Sequence, residues 1–288
     1  MNRRNIGRLY GPMNLKLPPD SERVVDADEE IFLLYSDMQL YSSTRGLGHV
    51  DSKMDSLTFH ILDRDIEIAQ DKTSLRSRKG DTGSVVWNAS VDFASAFPSL
   101  FDIANAHVLE LGAGTGFLSI ALSPHVRHYT VTDIPDLIPL IRKNLLLNFP
   151  SKWPNQSNVS LSPLDWIQLQ NASPSIRSKA FQFDPPGDIL LVVDCIYHPS
   201  LIPPLVETID HLSIPDRTTV VVVVELRAED VVREFLESWL ARPSWEIWRA
   251  GVGAGEGGKP IPILNRPYAM WIGTKLGSIQ DTTTTTNG

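Results

Sequence analysis

The 288 residues contain one cysteine, Cys195. No internal disulfide can form, which points to a reducing compartment. Long hydrophobic runs are also missing. The longest, Val220 to Val224, is far shorter than the roughly 20 residues that cross a bilayer, and no apolar stretch follows the opening Met-Asn-Arg-Arg as a signal peptide requires. Basic excess is lacking too. Acidic residues outnumber Lys and Arg by 34 to 26, giving a net charge of −8, which speaks against a general nucleic-acid binder with a basic stripe. It leaves room for one basic partner drawn in by long-range steering. The seven histidines are scattered, with no His-x-x-x-His spacing to suggest a metal site. No repeat recurs at a fixed period.

What is present is core material, 42% hydrophobic, arranged as alternating strand and helix patterns from about residue 84 to 275. His107 to Leu111, Tyr129 to Thr132, Val159 to Leu161, Ile189 to Val193 and Thr218 to Val224 read as strands. Phe117 to Leu122, Leu137 to Asn148, Leu201 to Leu212 and Val231 to Leu240 read as helices between them. Continuous apolar strands separated by amphipathic helices indicate a parallel sheet covered on both faces. Trp245 to Arg249 and Tyr268 to Thr274 close the chain as strands with no full helix between them, so they are expected to pair antiparallel through the glycine-rich stretch Gly251 to Gly258. The expected fold is thus α/β, a Rossmann-like doubly wound seven-stranded sheet, mostly parallel with an antiparallel last strand. Upstream, Glu29 to Tyr35 has helical spacing, and 57 to 71 alternates like a hairpin. The expected organisation is an N-terminal extension over 1–82, a main domain over 83–275 and a low-complexity, disordered tail over 276–288.

The sharpest local signal is Val108-Leu109-Glu110-Leu111-Gly112-Ala113-Gly114-Thr115-Gly116. A strand runs into three alternate glycines and then a helix. Residues without Cβ let the main chain turn tightly and approach a ligand, and the helix start offers free N–H groups. The spacing is not the Gly-x-Gly-x-x-Gly of dinucleotide enzymes. The next strand ends at Asp133, where a carboxylate at the sheet edge can accept from ribose hydroxyls. Read from the residues alone, a simple strand-to-helix turn followed by an aspartate cap stays open.

These residues match motif I and the following acidic position of the seven-β-strand class I methyltransferases, and further segments resemble the family-16 protein-lysine methyltransferases. Gly83-Ser84-Val85-Val86-Trp87 is similar to that group's Gly-x-x-x-Trp segment, Leu164-Asp165-Trp166 to its Leu-Asp-Trp, Asp194-Cys195-Ile196-Tyr197 to its Asp-x-x-Tyr, and Glu225-Leu226-Arg227 to its polar segment after the fifth strand. The resemblance covers 83–275 and is looser upstream. It implies S-adenosyl-L-methionine as cofactor, bound by Trp87, Glu110, Gly112, Ala113, Gly114, Asp133, Asp165, Trp166 and Val193. It implies a protein substrate, a lysine of a large-subunit ribosomal protein. Asp194 is then expected to capture the incoming ammonium and Tyr197 to orient the amine. Nucleic acid and membrane are not expected as partners, and the protein is expected to act as a monomer in the cytoplasm, with the nucleus a second location.

Each residue also has a plainer reading. Trp87 and Trp166 serve equally as core aromatics, Asp165 as a turn residue, Asp194 as a cap for the helix entered at Pro199, and Tyr197 as packing. Glu225 and Arg227 are expected to form a local solvated pair, Cys195 to be buried rather than reactive, and His198 to lie in a surface loop. Three other functions stay on the table: a nucleic-acid or small-molecule methyltransferase, which the missing Pro-Pro after Asp194 disfavours; a cofactor-binding protein without activity, disfavoured by the intact glycine turn and Asp133; and a nicotinamide oxidoreductase, disfavoured by the glycine spacing.

Overall fold

The computed structural model describes residues 9–10, 15–18, 21–38, 48–72, 83–250 and 268–277. The glycine-rich stretch after 250 and the tail beyond 277, both singled out in the sequence, lie outside them. Two residue pairs, β1 (Leu9–Tyr10) and β2 (Leu15–Lys16), form a short antiparallel ladder. They are followed by β3 (Glu22–Val24) and helix α1 (Ala27–Met38). The hairpin expected from alternation is present as β4 (Ser56–Ile61) and β5 (Arg64–Ala69), in antiparallel register.

Helix α2 (Asn88–Leu100) then leads into the repeating unit: β6 (His107–Leu111), α3 (Phe117–Leu122), β7 (His128–Asp133), α4 (Ile138–Asn148) and β8 (Val159–Pro163). After two short helices, α5 (Trp166–Asn171) and α6 (Pro174–Ala180), come β9 (Ile189–Val193), α7 (Ile202–Leu212), β10 (Thr219–Glu225) and α8 (Glu229–Leu240). The chain closes with β11 (Trp245–Arg249) and β12 (Tyr268–Lys275). Proline stands in the first turn of α4, α6 and α7, where its missing N–H has no intrahelical acceptor to lose.

The sheet runs β3-β11-β12-β10-β9-β6-β7-β8. Strands β10, β9, β6, β7 and β8 are parallel, and β12 is inserted antiparallel between β10 and β11. The expected seven strands are therefore eight. The extra one, β3, pairs antiparallel with β11. Its three residues carry no readable period. The backbone ladder and the buried Val24 hold them, and ion pairs add to this: Arg249 reaches Glu22 and the buried Glu30, and Arg23 lies 3.7 Å from Glu246.

Both faces are covered, and strand alternation assigns side chains to them. Ile189, Leu191, Val193, Val221 and Val223 face α2, α3, α4 and the hairpin. Leu190, Val192, Val220, Val222 and Val224 face α1, α7 and α8. Successive residues of a strand point to opposite faces, so an all-apolar strand such as Val220 to Val224 reports burial on both. The parallel carboxyl ends of β6, β7 and β9 meet at the point where chain order reverses, the usual crevice for ligands in such sheets.

Candidate active site

At that crevice, β6 passes into the glycine turn. Gly112, Gly114 and Gly116 all have positive φ, at 67°, 59° and 78°. A Cβ on Gly112 would lie 2.7 Å from the Cys195 sulfur and 3.1 Å from the Trp166 ring, and one on Gly114 would lie 2.8 Å from the Gly83 carbonyl oxygen. Both backbone angle and space therefore demand glycine. Asp133, ending β7, fixes the turn: its Oδ2 accepts from the Gly114 N–H at 2.7 Å and its Oδ1 from the Ile134 N–H at 2.7 Å. Ala113 N–H donates to the Thr132 carbonyl at 3.0 Å. From behind, the buried Asn144 donates to the carbonyls of Thr115 and Ala69, tying the hairpin to the turn. That contact has no sequence signature, because 29 and 75 residues separate the partners.

A cavity of about 580 Å³ opens over the turn, within the range typical of small-ligand sites. Of the residues singled out in the sequence, Trp87, Gly112, Ala113, Gly114, Asp133, Asp165, Trp166, Val193, Asp194 and Tyr197 all line it. Sequence reasoning missed other wall residues, among them Val86, Ser90, Leu164 and Leu201, which carry no chemical signal beyond being apolar or small. Asp165 is both wall and cap, its Oδ1 accepting from the N–H groups of Ile167 and Gln168 at the start of α5. Trp166 lies against the glycine turn, and its Nε1 is buried without a hydrogen-bond partner. Cys195 is buried, and burial pushes its thiol well above the ordinary range.

Glu110 does not line the cavity. It points from β6 toward α2 and α3, fully buried, and accepts from the Tyr129 hydroxyl at 2.9 Å. Burial pushes its pKa up to about 8, against the opposing Tyr129 hydrogen bond and with a smaller contribution from Asp133. The folded state thus holds a proton that the unfolded state releases near 4.5, the ordinary value for a glutamate. The stability this contributes is fully present below about 4.5 and is lost as pH rises through 8. Glu110→Gln keeps an acceptor for Tyr129 but cannot ionise. Relative to wild type, the variant should gain on the order of 3 kcal/mol between pH 5 and pH 8.5 in denaturant melts; a constant difference across that range would remove the argument.

Of the two readings of Asp194, capture of an ammonium or a cap for the helix entered at Pro199, the structure removes the cap. The turn at Pro199–Leu201 is capped by the exposed His198, whose Nδ1 accepts from the Ser200 N–H. Asp194, at φ 57°, turns its side chain to Arg227. Arg227 NH1 donates to Oδ1 at 3.0 Å and NH2 to Oδ2 at 2.8 Å, while the Glu225 N–H donates to Oδ1 at 3.3 Å. Arg227 NH2 also donates to Glu225 Oε2 at 2.7 Å. The Asp194 side chain is 3% exposed and Glu225 8%, whereas Arg227 is open to solvent, so the expected local pair of Glu225 and Arg227 is present and the buried Asp194 joins it. The guanidinium sits 5.0 Å over the Trp87 ring. Burial opposes the charge on Arg227, but Asp194 and Glu225 outweigh it and raise its pKa. Tyr197, 37% exposed, stands at the rim.

A glycine turn under a cavity, an acid ending the next strand and a tryptophan over the turn define a nucleoside-cofactor enzyme of the doubly wound α/β class. The family model for lysine methyltransferases matches residues 65–241, and the chain belongs to that family. A protein of Schizosaccharomyces pombe described as diaminohydroxyphosphoribosylamino-pyrimidine deaminase is 32% identical over 210 residues, 70% of this chain but 48% of that protein. The chain therefore spans about half its length. Ribosomal lysine N-methyltransferase 5 of Eremothecium gossypii is 25% identical over 274 residues, covering 75% of this chain and 85% of that one. EEF1A lysine methyltransferase 3 of Xenopus tropicalis is 29% identical over 156 residues, 54% of this chain and 63% of that one. A zinc deaminase needs a His-x-Glu and a Pro-Cys-x-x-Cys. This chain has a single cysteine, and among the described residues no group of three His, Cys, Asp or Glu is placed to hold a metal. Membership in this family points to S-adenosylmethionine as the cofactor against which the cavity is to be judged.

The cavity suits that cofactor. Its size accommodates a nucleoside joined to an amino acid, and the two glycines leave the turn bare.

Proposed function

We propose that the chain methylates the ε-amine of a lysine in a basic protein of the translation machinery, a large-subunit ribosomal protein, acting as a cytoplasmic monomer. Two things support the target class: the likeness to ribosomal lysine N-methyltransferase 5 extends over most of both chains, and a net charge of −8 favours a basic partner. The observation that carries the chemistry is the shared cavity, whose wall includes the glycine turn, Asp133, Asp194 and Tyr197 together.

In this reading Asp133 holds the ribose, Asp165 and Trp166 hold and cover the adenine, and Trp87, the turn backbone and Val193 flank the methionine portion. The bound cofactor supplies a methyl group on a sulfonium, already a good leaving group. The protein has to align the amine and remove its proton. Taking a lysine from its reference pKa of about 10.4 to neutral pH costs roughly 4–5 kcal/mol. The apolar walls at Trp87, Val193 and Leu201 lower that cost by disfavouring the ammonium. Asp194 has about four acceptor positions, of which the Arg227 and Glu225 donors take three. The remaining one, on Oδ2, is available to an N–H of the amine, and Tyr197 at the rim orients it.

Incubation with tritiated S-adenosylmethionine and large ribosomal subunits from cells lacking the gene tests the target. Label on one ribosomal protein, recovered as methyl-lysine, is the expected result. Label confined to other proteins in the same extract would replace the target and keep the chemistry.

A further inference from the structure

The port beside Asp194 poses an electrostatic problem that the structure answers. A carboxylate draws in an ammonium, but within about 4–6 Å it also raises the amine's pKa by roughly 1–3 units, against the needs of transfer. Here Asp194, in the cavity wall just after β9, and Glu225, ending the neighbouring β10 beside it, share one guanidinium. We propose that Arg227 is a positioning residue that sets the charge state of the substrate lysine. By gripping both acids it leaves the port formally one negative charge, enough to attract the ammonium without holding its proton. This rests on the reading of the Asp194 side as the lysine port.

The geometry is specific. The fork is bidentate on Asp194, so it fixes orientation as well as charge. Trp87 lies against one face of the guanidinium, and the backbone at Gly48 packs so closely that a Cβ there would meet Arg227 NH2 at 2.2 Å and Glu225 Oε2 at 2.8 Å. Gly48 is held in place by the Asn88 N–H donating to its carbonyl at 2.8 Å. Gly48 and Trp87 thus cover part of the network: its two carboxylates are buried, while Arg227 stays open to solvent. Other charged or titratable groups around it are accounted for. His49 lies with its ring 6.0 Å from Trp87 and its Nε2 3.4 Å from Ser52 Oγ. Asp92 of α2 accepts from the Tyr268 hydroxyl at 2.8 Å, at the start of β12. Asp133 is held by the glycine turn, and Glu110 by Tyr129.

The test uses the full chain with a lysate of cells lacking the gene as acceptor, and counts tritiated methyl-lysine after acid hydrolysis between pH 6.5 and 10. Arg227→Gln should move the apparent pKa of the saturating rate up by about one unit or more. That rate should fall about tenfold at pH 7 and recover toward pH 10, while half-saturation stays equal or comes at lower lysate concentration. Glu225→Gln should move the profile the other way and weaken acceptor binding, and the double variant should return close to the wild-type profile. Affinity for S-adenosylhomocysteine, measured by calorimetry, should be nearly unchanged in all three. A uniform loss at every pH, or an unshifted Glu225→Gln profile, overturns the proposal even if Arg227→Gln fails to fold. Wild-type enzyme that forms no methyl-lysine overturns the lysine reading itself, and this inference with it; an active wild type with unshifted variants overturns this inference alone.

Discussion

Asp133→Asn should weaken S-adenosylhomocysteine binding nearly as much as Asp133→Ala, by roughly a hundredfold, about 3 kcal/mol. An amide normally replaces a carboxylate at modest cost, because one oxygen survives. Here both oxygens already accept backbone N–H groups, from Gly114 and Ile134. An asparagine must turn its NH2 toward one of those donors, leaving a donor facing a donor and the turn unpinned on one side. The charge that would strengthen ribose hydrogen bonds is lost as well. Calorimetric titration of both variants, with melting curves to establish folding, decides it. Affinity within a few-fold of wild type for the asparagine variant would show that Asp133 does not hold both the turn and the ligand.

Asp194→Ala should stop methyl transfer, a fall of at least about a hundredfold in rate through loss of amine alignment, with cofactor affinity nearly intact. The separation follows from position: Asp194 directly follows β9 and is gripped by Arg227, whereas the glycine turn after β6 is held by Asp133. Removing the acid also frees Arg227 from its bidentate partner, so Glu225 alone retains it. Single-turnover transfer beside calorimetry separates the two effects. Normal transfer would remove Asp194 from the chemistry, and a parallel loss of cofactor affinity would place it on the wrong side of the cavity.

Much of the architecture was legible because the sheet is buried on both faces. His107 to Leu111, Ile189 to Val193 and Trp245 to Arg249 have the ends that their composition implies. The glycine turn was legible because positive φ and lack of space leave only glycine. Helix α2 was not. Its sequence, Asn-Ala-Ser-Val-Asp-Phe-Ala-Ser-Ala-Phe-Pro-Ser-Leu, mixes weak helix formers with an internal proline. Burial of Ala89, Phe93 and Phe97 against the sheet overrides that. Strand β3 was also invisible, since three residues show no alternation and its pairing partner β11 lies more than 200 residues away.

The site divides in the same way. Residues that act through local backbone, such as Gly112, Gly114 and Asp133, could be located from spacing. Glu110 could not be placed by its neighbours: one position on a strand decides which face a side chain takes, and that face holds Tyr129 rather than the cavity. The Arg227–Glu225 pair was visible, but Asp194's share in it was not, because Asp194 lies 33 residues away and the Trp87 contact is tertiary.

A crystal structure with S-adenosylhomocysteine tests the central claim most directly. The ligand should lie in the cavity over Gly112 to Gly114, its ribose hydroxyls within hydrogen-bond distance of Asp133 and its sulfur turned toward the Asp194 side. A ligand bound elsewhere, or seated there with its ribose away from Asp133, would contradict the account.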